Sequence, residues 1–166
     1  MIRKVGSLGR FGGPILVDRI VTNSVTVAIS DAVSTTGGFA ALGTAGNPVL
    51  GHVVGLVGKD GLSVVKDGTF LNNPGEAYAV ASDNQTTGAV RVVVDASPDA
   101  LYSAELDAAI GTTAGPVGVN FDLADKDTLD ESTAAETTAQ YYSHGADVNA
   151  TANALVNILE SEVFGF

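Results

Sequence analysis

A chain of 166 residues with 45% apolar residues is long enough to bury a core, and its composition excludes an intrinsically disordered protein. The absence of cysteine excludes disulfides and thiolate metal sites, and no apolar run approaches the roughly 20 residues that a membrane-spanning helix requires. A net charge of −11 argues against direct nucleic-acid binding, so neither a membrane nor a nucleic acid is an expected partner.

The charges are divided unevenly along the chain. Half of the eight basic residues lie in the first nineteen positions, where a single acidic residue opposes them. These bases are Arg3, Lys4, Arg10 and Arg19. From Asp95 onward the chain has thirteen acidic residues and one base, Lys126. A basic segment attached to an acidic body is typical of an interaction tail.

Residues 1–20 are predicted to form an extended N-terminal arm, and residues 21–166 a single β-rich domain. Four glycines and Pro14 interrupt the first fourteen residues too often for a helix. Glycine lets a backbone follow a foreign surface closely, so we expect the four bases of the arm to bind a neighbouring subunit. The same start has no apolar core of a secretory signal, which makes an intracellular origin the expectation.

The first half of the predicted domain has strand-like segments separated by turns. Residues 15–30 are rich in β-branched residues and interrupted by "TNS", which indicates two short strands. The next segment, "VSTTGGFAALGTAGNP" at residues 33–48, is predicted to be a loop. In residues 48–68 the strand-like runs are separated by "GKDG", whose composition is typical of a hairpin turn.

The middle of the chain predicts a further strand, a polar turn and a strong strand. In "VRVVVD", Val90, Val92 and Val94 would share one face of a strand. The segments at 98–110 and 152–163 are ambiguous, because their apolar residues fit helical spacing and strand alternation equally well. Residues 122–151 are polar, and we expect long loops there around the short apolar run "AQYYSHG".

An acidic stretch within "GVNFDLADKDTLDES" offers oxygen ligands for a hard cation such as calcium. Its acids are Asp122, Asp125, Asp127, Asp130 and Glu131. No frame in this stretch gives the ligand spacing, central glycine and final glutamate of an EF-hand loop. The favoured interpretation is a solvated acidic loop at 122–131 without a metal, although a non-standard cation site stays open.

No group of residues predicts catalysis. Ser143, His144 and Asp147 have the residue types of a hydrolytic triad, but near neighbours on an extended segment point apart. The sequence has no G-x-S-x-G motif, and its glycine-rich segments do not match a phosphate-binding loop. We therefore expect no catalytic residue, no cofactor and no enzymatic activity.

The second half of the chain resembles the decoration proteins of tailed-phage capsids, which are also called head-stabilising or cement proteins. In that family a valine-rich strand leads into an Asp-Pro-type turn and then into a second strand. Here "VRVVVDASPDALYSAELDAAIG" places the turn at Ser97-Pro98-Asp99 and the second strand from Leu101 to Asp107.

Two later elements extend the resemblance over roughly residues 50–166. The family's "VG-N-D" element is matched by Val117, Gly118, Asn120 and Asp122. The segment "ALVNILESEVFG" fits the closing apolar strand that follows a variable loop. Residues 1–45 have no counterpart in the family pattern, so the resemblance says nothing about the N-terminal arm.

The resemblance implies a mainly β fold, a small β-barrel or β-sandwich with long loops, in which both ambiguous segments are strands. It implies a structural protein that binds the major capsid protein and itself, as a homotrimer. Such a protein would stabilise the lattice on the outside of the virion after assembly in the host cytoplasm. An acidic loop would then keep a densely repeated surface soluble. The alternative is another virion surface module, such as a head fibre, tail or spike subunit, with a receptor- or carbohydrate-binding role.

Overall fold

The computed structural model describes residues 1–9, 14–107, 118, 120–130, 140–147 and 153–159. Within these residues the chain forms fifteen β-strands and one four-residue helix, α1 (Asn84–Thr87). No helix in this part of the chain is long and apolar enough to cross a membrane. The prediction of a mainly β fold is confirmed.

The strands form two large antiparallel sheets and two small ribbons. The six-stranded sheet has the order β1 (Ile2–Ser7), β11 (Ala100–Glu105), β15 (Asn153–Ile158), β14 (Tyr141–Ala146), β12 (Asn120–Asp125), β13 (Thr128–Asp130). The five-stranded sheet has the order β2 (Leu16–Ile20), β10 (Val90–Asp95), β6 (Gly51–Gly58), β4 (Ala32–Thr36), β5 (Phe39–Leu42). The ribbons pair β3 (Thr26–Ala28) with β9 (Ala77–Ala79), and β7 (Val65–Lys66) with β8 (Thr69–Phe70).

Each large sheet has its own apolar core. In the five-stranded sheet Val90, Val92 and Val94 are buried together, as the alternation of β10 predicts. The core of the six-stranded sheet contains three large aromatic residues, Tyr102, Phe121 and Tyr141. None of the described sheets closes into a barrel, and the set of antiparallel sheets is compatible with a β-sandwich.

Each sheet curls until distant strands meet at a single isolated bridge. Val21, just after β2, bridges Ala40 of β5, so the two outer strands of the five-stranded sheet approach each other. Leu106, just after β11, bridges Leu129 of β13 in the other sheet. The strand β1 lies beyond β11, and no described strand pairs with its other side.

The two ambiguous segments are strands where they are described. β11 and β15 pair directly, with Ser103 opposite Leu155, and they occupy inner positions of the six-stranded sheet. Three consecutive side chains of β11 are buried, which shows that both faces of this strand are covered. The strand assignment that the resemblance implies for these segments is confirmed within Ala100–Glu105 and Asn153–Ile158.

Two segments predicted as loops are hairpins instead. Residues 33–48 contain most of β4 and all of β5, joined by a turn in which Gly37 and Gly38 have φ values of 57° and 86°. These left-handed values suit the tight turn of a hairpin, which explains the glycine pair. Up to Asp130 the acidic stretch forms the hairpin of β12 and β13, with Leu123 and Leu129 buried on one face, and Glu131 lies outside the described residues. The prediction of loops was wrong at both places, because small and charged residues concealed strand pairing.

The predicted arm over residues 1–20 contains two strands that lie against the chain itself. β1 pairs with β11, and Ile2 is completely buried in the core. β2 pairs with β10 over its whole length. Both segments are extended, but they complete the two sheets of the same chain, which the arm interpretation did not anticipate.

Candidate partner-binding site

A short crossover, residues 96–99, carries the chain from β10 in one sheet to β11 in the other, and the N-terminal strands are fastened to it. The Lys4 Nζ lies 2.5 Å from Asp95 Oδ2, just before the crossover. The Ser7 hydroxyl donates to Asp99 Oδ2 at 2.9 Å, and the Ile15 amide donates to Ser97 Oγ at 2.7 Å. These contacts place the end of β1 and the start of β2 on the same structural element.

Below Lys4 the two sheets meet at a buried polar cluster, the His52 cluster, formed by His52, Tyr102 and Tyr141. The imidazole Nδ1 lies 3.0 Å from the Ser30 carbonyl oxygen, and Nε2 lies 2.9 Å from the Tyr141 hydroxyl. Burial lowers the pKa of His52 to about 4, so the ring is neutral at pH 7. Nδ1–H therefore donates to Ser30, and Nε2 accepts from Tyr141.

The His52 cluster lacks the features of a catalytic centre. Burial raises the pKa of both tyrosine hydroxyls well above the ordinary value, so neither is a tyrosinate nucleophile at neutral pH. The ring of His52 is only 2% exposed and packs 4.4 Å from the centre of the Tyr102 ring. We interpret the cluster as a structural joint between the sheets.

Most of the exposed large apolar side chains come from the N-terminal strands and the residues next to them. Five of the nine large apolar residues that are exposed in the described chain come from its first sixteen positions. They include Val5, Leu8, Ile15 and Leu16, with Leu16 56% exposed. Together with the exposed Arg3, these four residues define the N-terminal surface. An apolar surface rimmed by charge is typical of a protein-binding site.

A second apolar surface, the hairpin surface, consists of Leu62, Val65 and Phe70. Val65 and Phe70 are opposite each other across β7 and β8, and both are about half exposed. The hairpin turns at Asp67-Gly68, whose φ values of 52° and 79° match a tight type I′ turn. A rigid two-residue turn thus presents apolar side chains to solvent.

The structure places three of the four predicted partner-binding bases, and each has different surroundings. Arg3 is exposed on β1, whereas Lys4 is bound to the buried carboxylate of Asp95. Arg19 lies in a groove on the five-stranded sheet, where its Nη1 donates to the Asp18 carbonyl oxygen at 2.9 Å. Arg10 lies outside the described residues. The apolar residues of the N-terminal surface were missed, because the sequence interpretation followed charge; the only local signal was apolar residues within a glycine-broken segment.

The acidic hairpin uses its carboxylates to hold its own backbone. Asp125 Oδ1 accepts from the Asp127 amide at 2.9 Å, the Thr128 amide at 3.0 Å and the Thr128 hydroxyl at 2.7 Å. Partial burial raises the pKa of Asp125, but these hydrogen bonds outweigh it and leave the pKa below its usual value. Asp122 is buried and accepts from the Gly46 amide at 3.0 Å.

Neither the metal nor the triad candidate is assembled within the described residues. No group of three or more histidine or acidic side chains in the described ranges is arranged to hold a metal ion. The Ser143 hydroxyl accepts from the Gly145 amide, while His144 Nε2 lies 2.8 Å from Asn157 Oδ1. His144 therefore pairs with an amide on β15.

A comparison of the chain with protein-family models, curated proteins and solved structures finds no match. Its function is therefore argued from its own surfaces and from the sequence pattern of residues 50–166. The surfaces that the geometry provides are the N-terminal surface and the hairpin surface.

A substitution at Lys4 separates its structural role from partner binding. Lys4→Met leaves the carboxylate of Asp95, which is 1% exposed, without its cation. We expect the free energy of unfolding to fall by about 1–2 kcal/mol, less than for a fully buried pair because Lys4 is partly hydrated. Arg3→Met removes the same charge from an exposed neighbour and should change stability by less than about 0.5 kcal/mol. Urea denaturation measures both, and equal effects would contradict the assignment.

Proposed function

We propose that this chain is a structural virion protein that binds the outside of a tailed-phage capsid. It stabilises the lattice by bridging neighbouring capsid subunits and carries no enzymatic activity. Its partners are the major capsid protein and further copies of itself, as a homotrimer, on particles assembled in the host cytoplasm. The observation that carries the proposal is the presence of two separate exposed apolar surfaces on one β-rich body, as bridging requires. The resemblance of residues 50–166 to decoration proteins supports the same conclusion.

The N-terminal surface and the hairpin surface lie next to different positions along strand β6. The N-terminal surface lies at the level of His52, which pairs with Asp95, the strand partner of Leu16. The hairpin surface follows Val64, whose amide donates to the Leu56 carbonyl oxygen at 2.9 Å. Four residues of strand separate these levels, roughly 13 Å along the chain. Two contacts at this spacing suit neighbouring subunits better than one binding pocket.

The chemistry of the N-terminal surface suits a protein partner. Complete burial of a valine or leucine side chain contributes about 1.5–3 kcal/mol, and Val5, Leu8, Ile15 and Leu16 are already partly covered. Roughly 1 kcal/mol from each side chain gives a moderate affinity, which repetition over a lattice increases through multivalency. No strand of the described ranges pairs with the outer side of β1, whose backbone groups could therefore pair with an extended segment of a partner.

The acidic charge of the remaining surface is consistent with dense packing on a particle. Thirteen acidic residues from Asp95 onward make neighbouring copies repel one another wherever no specific contact forms. Such a surface keeps a repeated array soluble and opposes non-specific aggregation.

Binding to capsids that lack the protein tests the proposal. We expect Leu16→Asp in the N-terminal surface, or Phe70→Asp in the hairpin surface, to reduce occupancy about tenfold, because a carboxylate would be buried without a partner. Thr36→Asp introduces the same carboxylate at an exposed strand position outside both surfaces and should leave occupancy unchanged. Occupancy is measured by co-sedimentation, and cryo-electron microscopy of the particles locates the protein and counts its copies.

Three results would contradict the proposal. One is wild-type protein that does not bind the capsid shell at all. Another is density confined to a fibre, tail or spike, which would support the alternative surface module. The last is an equal loss of occupancy for Thr36→Asp, which would show that added charge alone disrupts binding.

A further inference from the structure

An open groove of about 570 Å³ lies on the five-stranded sheet, and none of its lining residues belongs to either apolar surface. Its walls come from β2, β10, the β4–β5 hairpin and the end of α1. Its lining includes Arg19, Lys59, Arg91, Asp18, Ile20 and Phe39. The proposed capsid contacts do not use this groove.

The groove concentrates positive charge on a strongly acidic molecule. Three of the eight basic residues of the chain line it, Arg19, Lys59 and Arg91. One acid is present, Asp18, whose carboxylate is paired with Arg91. Within the described chain Arg19 and Lys59 are in no ion pair. The groove therefore has a net charge of about +2 on a chain with a net charge of −11.

The shape and chemistry of the groove favour a polypeptide segment over a small anion. Its basic groups are on long side chains that are exposed or half-buried, and Ile20 and Phe39 supply apolar surface between them. A small-molecule site would be an enclosed cavity with a few fixed polar groups. An acidic segment with some apolar side chains matches both features of this groove.

We infer that the groove binds an acidic surface segment of a second copy of this chain. The chain itself supplies the matching charge, since twelve of its nineteen acids follow Asp95, and Glu105, Asp107 and Asp125 are exposed among them. At physiological salt the Debye length is about 8 Å, so repulsion between the distant parts of two copies is screened more than pairing inside the groove. The inference rests on the proposed self-association and assigns it a surface, but it does not depend on capsid binding.

The contact is heterologous, because a basic groove on one copy meets an acidic surface on the next. Contacts of this kind form closed rings when the rotation between copies closes. They differ from isologous contacts in one measurable way: a copy with a defective groove still offers its acidic surface to an intact neighbour.

Sedimentation velocity of the purified protein at about 0.15 M salt tests the inference. We expect wild type to self-associate, and Arg19→Glu or Lys59→Glu to raise the dissociation constant about tenfold. Lys66→Glu makes the same change of charge outside the groove and is the matched control. Wild type that stays monomeric at every concentration, or a control that weakens association equally, would overturn the inference.

A mixing experiment then tests the direction of the contact. Fluorescently labelled Arg19→Glu/Lys59→Glu protein should bind unlabelled wild type while failing to bind itself. Absence of binding to wild type would overturn the heterologous contact. Binding to capsids is measured separately with the same variants. Loss of self-association in the groove variants with binding to capsids retained supports the groove assignment, and unchanged self-association in these variants would overturn it. Failure of wild type to bind capsids while it self-associates would contradict only the proposed capsid binding.

Discussion

Replacing Gly51 with alanine is expected to lower the free energy of unfolding by at least about 3 kcal/mol, or to prevent folding. A Cβ at this position would lie 2.1 Å from the carbonyl oxygen of Asp95 and 2.7 Å from its carbonyl carbon. Neither backbone can move aside easily, because β6 and β10 are paired here and Asp95 also holds Lys4. The substitution would therefore separate the strands at the joint between the sheets.

Gly55 provides a matched control on the same strand. A Cβ there would meet its nearest atom, Val93 Cβ, at 3.6 Å, which is ordinary van der Waals contact. Gly55→Ala should change stability by less than about 1 kcal/mol. Urea denaturation of both variants provides the comparison, and a Gly51→Ala protein as stable as Gly55→Ala would show that the strands at the joint are not closely packed.

The parts of the fold that sequence predicts correctly are those determined by local alternation. Val90, Val92 and Val94 alternate with less buried residues, so their shared face is visible in six letters of sequence. Strands β11 and β15 show no such alternation because neighbours cover both of their faces. Their assignment depends on pairing across about fifty residues, which no local window contains.

The hairpins within residues 33–48 and 120–130 were missed for two different reasons. In β4 and β5 the strand residues are mostly Ala, Ser and Thr, whose weak preferences are outweighed by the glycine pair of the turn. In β12 and β13 the carboxylates suggest solvent, yet Asp122 is buried and accepts a backbone amide, and the exposed Asp125 accepts another. Composition alone does not distinguish acidic residues that accept hydrogen bonds from backbone amides from acidic residues that lie in a solvent-exposed loop.

The candidate sites depend almost entirely on contacts between residues that are far apart in the sequence. Lys4 meets Asp95 across ninety-one positions, and His52 meets Tyr141 across eighty-nine. The uneven charge of the sequence predicted a basic arm apart from an acidic body, but it did not show that β1 and β2 pair with strands of the same chain. The sequence could not show that Lys4 forms an ion pair with Asp95 of the same chain. Nor could it show that Arg19, Lys59 and Arg91 line one groove.

Acidification is expected to destabilise the protein between pH 6.5 and pH 4 through His52. The pKa of this ring falls from 6.5 to about 4 on folding, because burial disfavours its charged form. Between these values the unfolded chain binds the proton and the folded chain does not, so stability falls as the pH falls. The full loss is about 3 kcal/mol, a large part of the stability of a typical domain.

Two variants isolate this contribution from that of other titrating groups. His52→Gln removes the titration, so its stability should vary less than that of wild type across the window, by up to about 3 kcal/mol. Tyr141→Phe keeps the buried imidazole while removing its hydroxyl partner, and its pH dependence should resemble that of wild type. Burial raises the pKa of Asp31, which acts in the opposite direction, but all three proteins share that residue. Should nuclear magnetic resonance of the wild-type protein show His52 charged at pH 6, the joint between the sheets would be hydrated instead of sealed.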